Sequence, residues 1–177
     1  LAFNNLGTMA AKAMAKVLET NTHLQVLNLK GNHLGDEGVQ VLAEGLKNNQ
    51  TLTSINLKGN NISHVGVKFL TAALAQDKTL KTLCLDGNNI GSSGAQACAK
   101  LLETNQTLLT IKLSGNSITT KGIKAIAQAL EKNQTLNTIY LEGNGIDDAG
   151  MTVLAEALGK NKSLVVSYIP RTPASLF

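Results

Sequence analysis

The sequence predicts an α/β solenoid, in which parallel strands form a concave sheet and α-helices cover the convex side. Three observations predict it. A leucine recurs every 28 residues, at Leu24, Leu52, Leu80, Leu108, Leu136 and Leu164. The first five of these leucines open a strand-like motif, L-x-x-[LI]-x-L-x-G-N, and a helical pattern of apolar residues follows each one. A fixed period of this length is typical of repeat proteins in which each unit packs only on its neighbours.

The motif predicts a short strand followed by a tight turn. Leu27 and Leu29 alternate with Val26, Asn28 and Lys30, which predicts that the leucines face the core and the other three residues lie on the opposite, open face. Gly31 and Asn32 follow, and the same pair recurs through Gly143 and Asn144. Glycine allows a tight turn, and a buried asparagine amide can satisfy the backbone of neighbouring turns. We therefore expect a ladder of stacked asparagines.

A helix is predicted after each turn. Polar pairs such as Ser63 and His64 precede a glycine in every repeat and are typical of helix starts. Val39, Leu42 and Leu46 then follow at helical spacing, which predicts one buried face. Strand, turn and helix within 28 residues require parallel strands joined by right-handed crossovers. Helices need about 8–10 Å between axes and strands about 4.8 Å, so the sheet takes the inner arc.

The repeats divide the chain into one solenoid domain, 1–169, and a C-terminal tail, 170–177. The domain comprises a partial repeat, 1–23, five complete repeats, 24–51, 52–79, 80–107, 108–135 and 136–163, and an incomplete last strand, 164–169. Pro170 and Pro173 end that strand because proline cannot donate a ladder hydrogen bond.

Composition argues against several classes of function. The net charge of +4 comes from lysines and a single arginine, Arg171, and only 3% of residues are aromatic. Nucleic-acid recognition favours arginine clusters and stacking aromatics, so no nucleic-acid partner is expected. No run of about 18 apolar residues predicts membrane insertion. The three histidines and two cysteines fall in different columns of the repeat, and no phosphate-binding motif occurs, so we expect no metal, cofactor, small-molecule substrate or catalysis.

The cysteines and the glycosylation sequons indicate the cellular compartment. Cys84 is predicted to face outward and Cys98 inward, so the two thiols should stay unpaired, as in a reducing cytoplasm. Five sequons occur, at Asn49, Asn61, Asn105, Asn133 and Asn161, and four of them share one loop column. A repeated loop asparagine suits a left-handed helix end, which explains the sequons without secretion.

The motifs resemble a known family. L-x-x-L-x-L-x-G-N with this period, and helices such as the one after Gly150, resemble the leucine-rich repeats of ribonuclease inhibitor. The variants N-Q-T-L, N-x-I and G-x-x-x-L-A-E-A-L look most like cytosolic nucleotide-binding leucine-rich-repeat receptors and bacterial leucine-rich-repeat effectors. The resemblance implies a leucine-rich-repeat horseshoe. It also implies a non-catalytic protein-interaction module, part of a larger innate immune receptor or effector, acting in the cytoplasm or in a host cytosol.

An alternative function comes from the same resemblance. Ran GTPase-activating protein shares this repeat type, so the chain is alternatively a regulator of a small GTPase. The acidic C-terminal tail of that protein has no counterpart here.

The open face of the strands is the predicted protein-binding surface, because its residues vary between repeats while the inward columns do not. It is basic at its beginning, more acidic later, and carries two tyrosines as aromatic anchors. The candidate contact residues are Asn28, Lys30, Asn56, Lys58, Thr82, Cys84, Asp86, Lys112, Ser114, Tyr140, Glu142 and Tyr168.

Overall fold

The computed structural model describes residues 1–168, with side chains described through residue 165. Helices and strands alternate along this part of the chain, as the sequence predicts. The helices are α1 (Gly7–Thr20), α2 (Gly35–Leu46), α3 (His64–Leu74), α4 (Gly91–Thr104), α5 (Thr119–Lys132) and α6 (Asp148–Lys160). The strands are β1 (Val26–Asn28), β2 (Ser54–Asn56), β3 (Thr82–Cys84), β4 (Thr110–Lys112), β5 (Thr138–Tyr140) and β6 (Val166–Tyr168). The predicted tail, 170–177, lies outside the described residues.

The sheet is parallel, and its six strands lie in sequence order from β1 to β6. Each strand pairs with the next at an offset of one repeat, so that Leu27 lies opposite Ile55 and Ile111 lies opposite Ile139. Each helix likewise packs on the helix of the next repeat. This arrangement confirms the predicted leucine-rich-repeat solenoid.

One continuous core lies between the sheet and the helices. The inward strand residues, such as Leu29, Leu57 and Leu85, are fully buried, and so are the helix residues Leu42 and Leu70. Cys98 takes the same helix column and is also fully buried, which confirms its predicted inward orientation. Burial raises the pKa of the Cys98 thiol to about 12.

The turn asparagines form the predicted ladder. Asn60 Nδ2 donates to the carbonyl oxygen of Leu29 at 2.9 Å, and Asn116 Nδ2 donates to that of Leu85 at 2.9 Å. In the other direction, Asn116 Oδ1 accepts from the backbone N–H of Asn88 at 3.2 Å. Within residues 1–165, no buried side-chain nitrogen or oxygen lacks a partner. The buried polar side chains of these repeats therefore all have hydrogen-bond partners.

The loop asparagines form a second ladder, and here the expected left-handed conformation is wrong. Asn105 is extended, with φ −78° and ψ 128°, at the end of α4. Its Oδ1 accepts from the backbone N–H of Thr107 at 2.9 Å and Leu108 at 2.8 Å, and its Nδ2 donates to the Leu74 carbonyl at 3.0 Å. The extended conformation is favoured because it lets the Asn105 side chain hydrogen-bond both to the loop that follows it and to the end of α3 in the preceding repeat.

Helix starts also differ from the expectation. Among the six described helices, only α3 and α6 have a side-chain cap at their own start, from Ser63 and Asp147, whereas α2 and α4 begin on left-handed glycines. Asp36 acts on the next repeat instead. Its Oδ1 accepts from the backbone N–H of Ser63 at 2.7 Å and of Gly66 at 3.0 Å, and its Oδ2 accepts from Ser63 Oγ at 2.5 Å. A carboxylate of α2 thus caps α3. The sequence of a single repeat does not reveal this contact, because the two residues belong to different repeats.

Candidate protein-interaction surface

The sheet face that points away from the helices carries the predicted contact residues, and we call it the concave face. Because successive side chains alternate across a strand, each repeat contributes positions in register with those of its neighbours. The first row of this face contains residues 26, 54, 82, 110 and 138, and the second row contains residues 28, 56, 84, 112 and 140. Both rows pair strand to strand. The third row contains residues 30, 58, 86, 114 and 142, which follow the strands directly.

The side chains of these rows are mostly accessible. Asn28 and Lys58 are exposed, and a larger group is half-buried: Lys30, Asn56, Thr82, Asp86, Lys112, Ser114, Tyr140 and Glu142. Tyr168 continues the second row, since its backbone pairs with Tyr140 in β5. The prediction for the Tyr168 side chain falls outside the described residues.

Cys84 corrects the sequence prediction. It occupies the second row, but its side chain is only 6% exposed. Asn56 and Lys112 flank it on the neighbouring strands, and its Sγ lies 3.6 Å from Asp86 Oδ2. Burial, together with the negative charge of Asp86, raises the pKa of the Cys84 thiol. A short side chain between longer neighbours is covered even on an open face, so Cys84 supports the surface and offers little contact area.

Two carboxylates and a serine form a fixed network in the third row. Asp86 Oδ1 accepts from the backbone N–H of Ser114 at 2.9 Å, and Ser114 Oγ donates to Glu142 Oε2 at 2.6 Å. The network spans three consecutive repeats and orients both acidic groups. Lys30 and Lys58 occupy the equivalent positions in the first repeats, so charge changes sign along the row.

Tyr140 lies beside a cation. The Nζ of Lys112 is 4.6 Å from the centre of the Tyr140 ring, which is cation–π geometry. The two residues are direct partners in the register of β4 and β5. An ordered, half-buried aromatic next to a charge is typical of residues that dominate binding energy.

The loops after the strands border the concave face. His33 and Asn61 lie in left-handed backbone conformations, with φ of 52° and 58°, and His33 Nδ1 is 3.2 Å from Asn61 Oδ1. Sequence reasoning missed one further contact: Lys30 Nζ lies 4.6 Å from the centre of the Phe3 ring. The sequence did contain a sign of this contact, because Phe3 occupies the position that the turn glycine has in the other repeats. Phe3 adopts the left-handed conformation of that glycine, with φ 58°.

Comparison with known proteins identifies the family. A family model described as the TMOD/LMOD leucine-rich domain matches residues 1–111, and a model described as a leucine-rich repeat matches 104–127 and 132–155. The chain belongs to the TMOD/LMOD leucine-rich domain family. No curated protein matches this sequence significantly.

Solved structures share the fold of this TMOD/LMOD leucine-rich domain. One is titled leiomodin-1 actin-binding site 2, with a TM-score of 0.71 and 19% identity over 83% of this chain and 86% of that one. Another is the C-terminal domain of tropomodulin from Caenorhabditis elegans, with a TM-score of 0.67 and 19% identity over 85% of this chain and 92% of that one. The finer resemblance to immune receptors and bacterial effectors stays a prediction.

The described part of this TMOD/LMOD domain offers neither a metal-binding cluster nor a membrane-spanning helix. Among residues 1–168, no group of three or more His, Cys, Asp or Glu side chains is placed to hold a metal ion. No helix in the same residues is long and apolar enough to span a membrane. Cys84 and Cys98 are both free and buried.

Proposed function

We propose that this domain is a non-catalytic protein-interaction module that binds actin through its concave face and the loops after the strands. One observation carries the proposal: the fold matches leiomodin-1 actin-binding site 2 over 83% of this chain, within a family to which the chain belongs. A protein partner also suits the surface, since an ordered tyrosine and charges of both signs are features of protein interfaces.

The size of the concave face indicates how much of the surface must take part. Six strands at about 4.8 Å span roughly 30 Å, and an open strip of about four residues adds about 14 Å, giving an area near 400 Å². A standard interface buries about 800 Å² on each partner. The loop ridge that includes His33 and Asn61 would therefore supply the remaining contact area.

The direct test measures binding of the purified chain to actin. Fluorescence anisotropy with labelled actin monomers, together with co-sedimentation with filaments, should show saturable binding that weakens as salt rises. The salt dependence is expected because Lys30, Lys58, Asp86 and Glu142 lie on the proposed interface. Absence of binding to both forms of actin would refute the proposal.

A separate assay addresses the alternative function. A regulator of a small GTPase would accelerate hydrolysis of bound GTP when added to the GTPase, whereas an actin-binding module would leave that rate unchanged. We propose a cytoplasmic location because both thiols are free. Membership of a larger receptor or effector remains a separate proposal, which rests on the repeat variants alone.

A further inference from the structure

A groove crosses the helical side of the central repeats, away from the concave face. It has a volume of about 710 Å³ and is lined by α3, α4 and α5. Alanines contribute to its floor among longer polar residues: Ala97 and Ala125 stand in the helix column that holds Phe69 in α3, and Ala72 stands in the column that holds Glu44 in α2. Alanines of three consecutive helices therefore line the groove.

The uncompensated charge around this groove is positive. Lys68 of α3 and Lys100 of α4 line it, and neither forms an ion pair with any residue that the structure describes. Glu103 also lines it, but Glu103 Oε1 is 2.9 Å from Nζ of Lys132 and is neutralised by that contact. A ligand in the groove therefore meets both alanine methyl groups and two lysine ammonium groups that form no ion pair with the described residues.

The volume of the groove suits a short helix. An α-helix about 10 Å in diameter, seated to half its depth, fills about 39 Å³ per Å of length. The groove volume of about 710 Å³ then corresponds to about 18 Å, or roughly three turns. Alanines along the groove allow a partner helix to approach closely, as in recognition of amphipathic helices by apolar grooves.

We propose that this groove is a docking site for an amphipathic α-helix of a partner protein, with acidic residues beside a narrow apolar stripe. The stripe packs on Ala97 and Ala125, and the acidic residues face Lys68 and Lys100. The proposal is independent of actin binding, because it concerns the opposite side of the molecule.

The test uses a defined probe, an acetylated and amidated 16-residue helical peptide with an alanine–leucine stripe flanked by glutamates. Its isomer with lysines in place of the glutamates is the charge control. Wild-type protein should bind the acidic peptide at least tenfold more tightly than the basic one, by isothermal titration calorimetry. Ala97→Phe fills the groove and Lys100→Glu reverses its charge, and each should weaken binding about tenfold or more.

Matched controls come from the same columns of α1, outside the groove. Ala13→Phe and Lys16→Glu should change the affinity less than twofold. Phe69 shows that the column accepts an aromatic residue, and circular dichroism checks that each variant is folded.

Several outcomes would overturn the proposal. One is no binding of the acidic peptide, and another is equal loss of binding in the control variants. Lys100-dependent binding to phosphatidylserine vesicles without peptide binding would assign the groove to a membrane. Self-association abolished by Ala97→Phe would assign it to a second copy of this chain.

Discussion

Single asparagines hold consecutive repeats together, because each one bonds the backbone of two repeats. Asn116 is fully buried, and its amide donates to the carbonyls of Leu85, Leu113 and Ser114. We expect Asn116→Ala to lower the free energy of unfolding by about 1–3 kcal/mol, since buried backbone groups lose their partners. Chemical denaturation measures this change. Asn137→Ala removes an exposed amide and should cost less than about 0.5 kcal/mol; an equal loss would contradict the structural role of Asn116.

Asp36 makes stability depend on pH. Partial burial opposes its ionisation, but the hydrogen bonds from the Ser63 side chain and the Ser63 and Gly66 backbone outweigh burial and lower the pKa. The ionised form therefore stabilises the fold above the ordinary value of 3.8, and this contribution is lost as the pH falls through the lowered pKa.

Asp36→Asn should accordingly destabilise the protein by about 1 kcal/mol at pH 7, as expected for loss of a helix cap, and by less at pH 2.5. Urea titrations at the two pH values measure the difference. Glu37→Gln removes the neighbouring carboxylate, which caps no helix, and as the control should change the free energy of unfolding at pH 7 by less than about 0.5 kcal/mol. A cost for Asp36→Asn that does not fall on acidification would contradict the capping role.

Among the elements, α5 has the most strained start. Thr119 has a φ of 57°, a left-handed conformation that is unfavourable for a β-branched residue, whereas Gly35 and Gly91 occupy this column in α2 and α4. Thr119 Oγ1 lies 2.8 Å from Ser92 Oγ, an exposed contact that offsets part of the strain.

We expect Thr119→Gly to raise the free energy of unfolding by about 0.5–1 kcal/mol, because glycine adopts this conformation without strain. The melting temperature should rise with it. Lys121→Gly, in the first turn of the same helix, is the opposite control and should destabilise by about 0.5–1 kcal/mol. A lower melting temperature for Thr119→Gly would show that the Ser92 contact outweighs the strain.

At the scale of the molecule, the described repeats form a row in which each unit contacts only its neighbours, so stability varies along the row. Helix α1 buries Ala11, Ala15 and Leu18, whereas α4 buries seven residues between two neighbouring helices. Backbone amides of α1 should therefore exchange with deuterium faster than those of α4 in the monomer. Equal protection of the two helices would mean that α1 is stabilised by contacts other than its packing on α2.

Periodicity predicts whatever repeats within one unit. It identified the inward leucines such as Leu57, the buried Asn60 and the parallel order of the strands, because each follows from a pattern inside 28 residues. It failed where one repeat acts on another. The burial of Cys84 depends on Lys112 of the next strand, and the capping role of Asp36 depends on Ser63. The protein-binding role of the concave residues remains a prediction.

The central claim is that the concave face binds actin, and the affinity of Tyr140 variants for labelled actin monomers tests it most directly. Tyr140→Ala should weaken binding by about 2 kcal/mol or more, or roughly thirtyfold, whereas Tyr140→Phe keeps the ring beside Lys112 and should retain most of the affinity. Lys124→Ala on the helical side should leave the affinity within about twofold. Wild-type affinity for Tyr140→Ala, with a large loss for Lys124→Ala, would place the interface on the helices and contradict the claim.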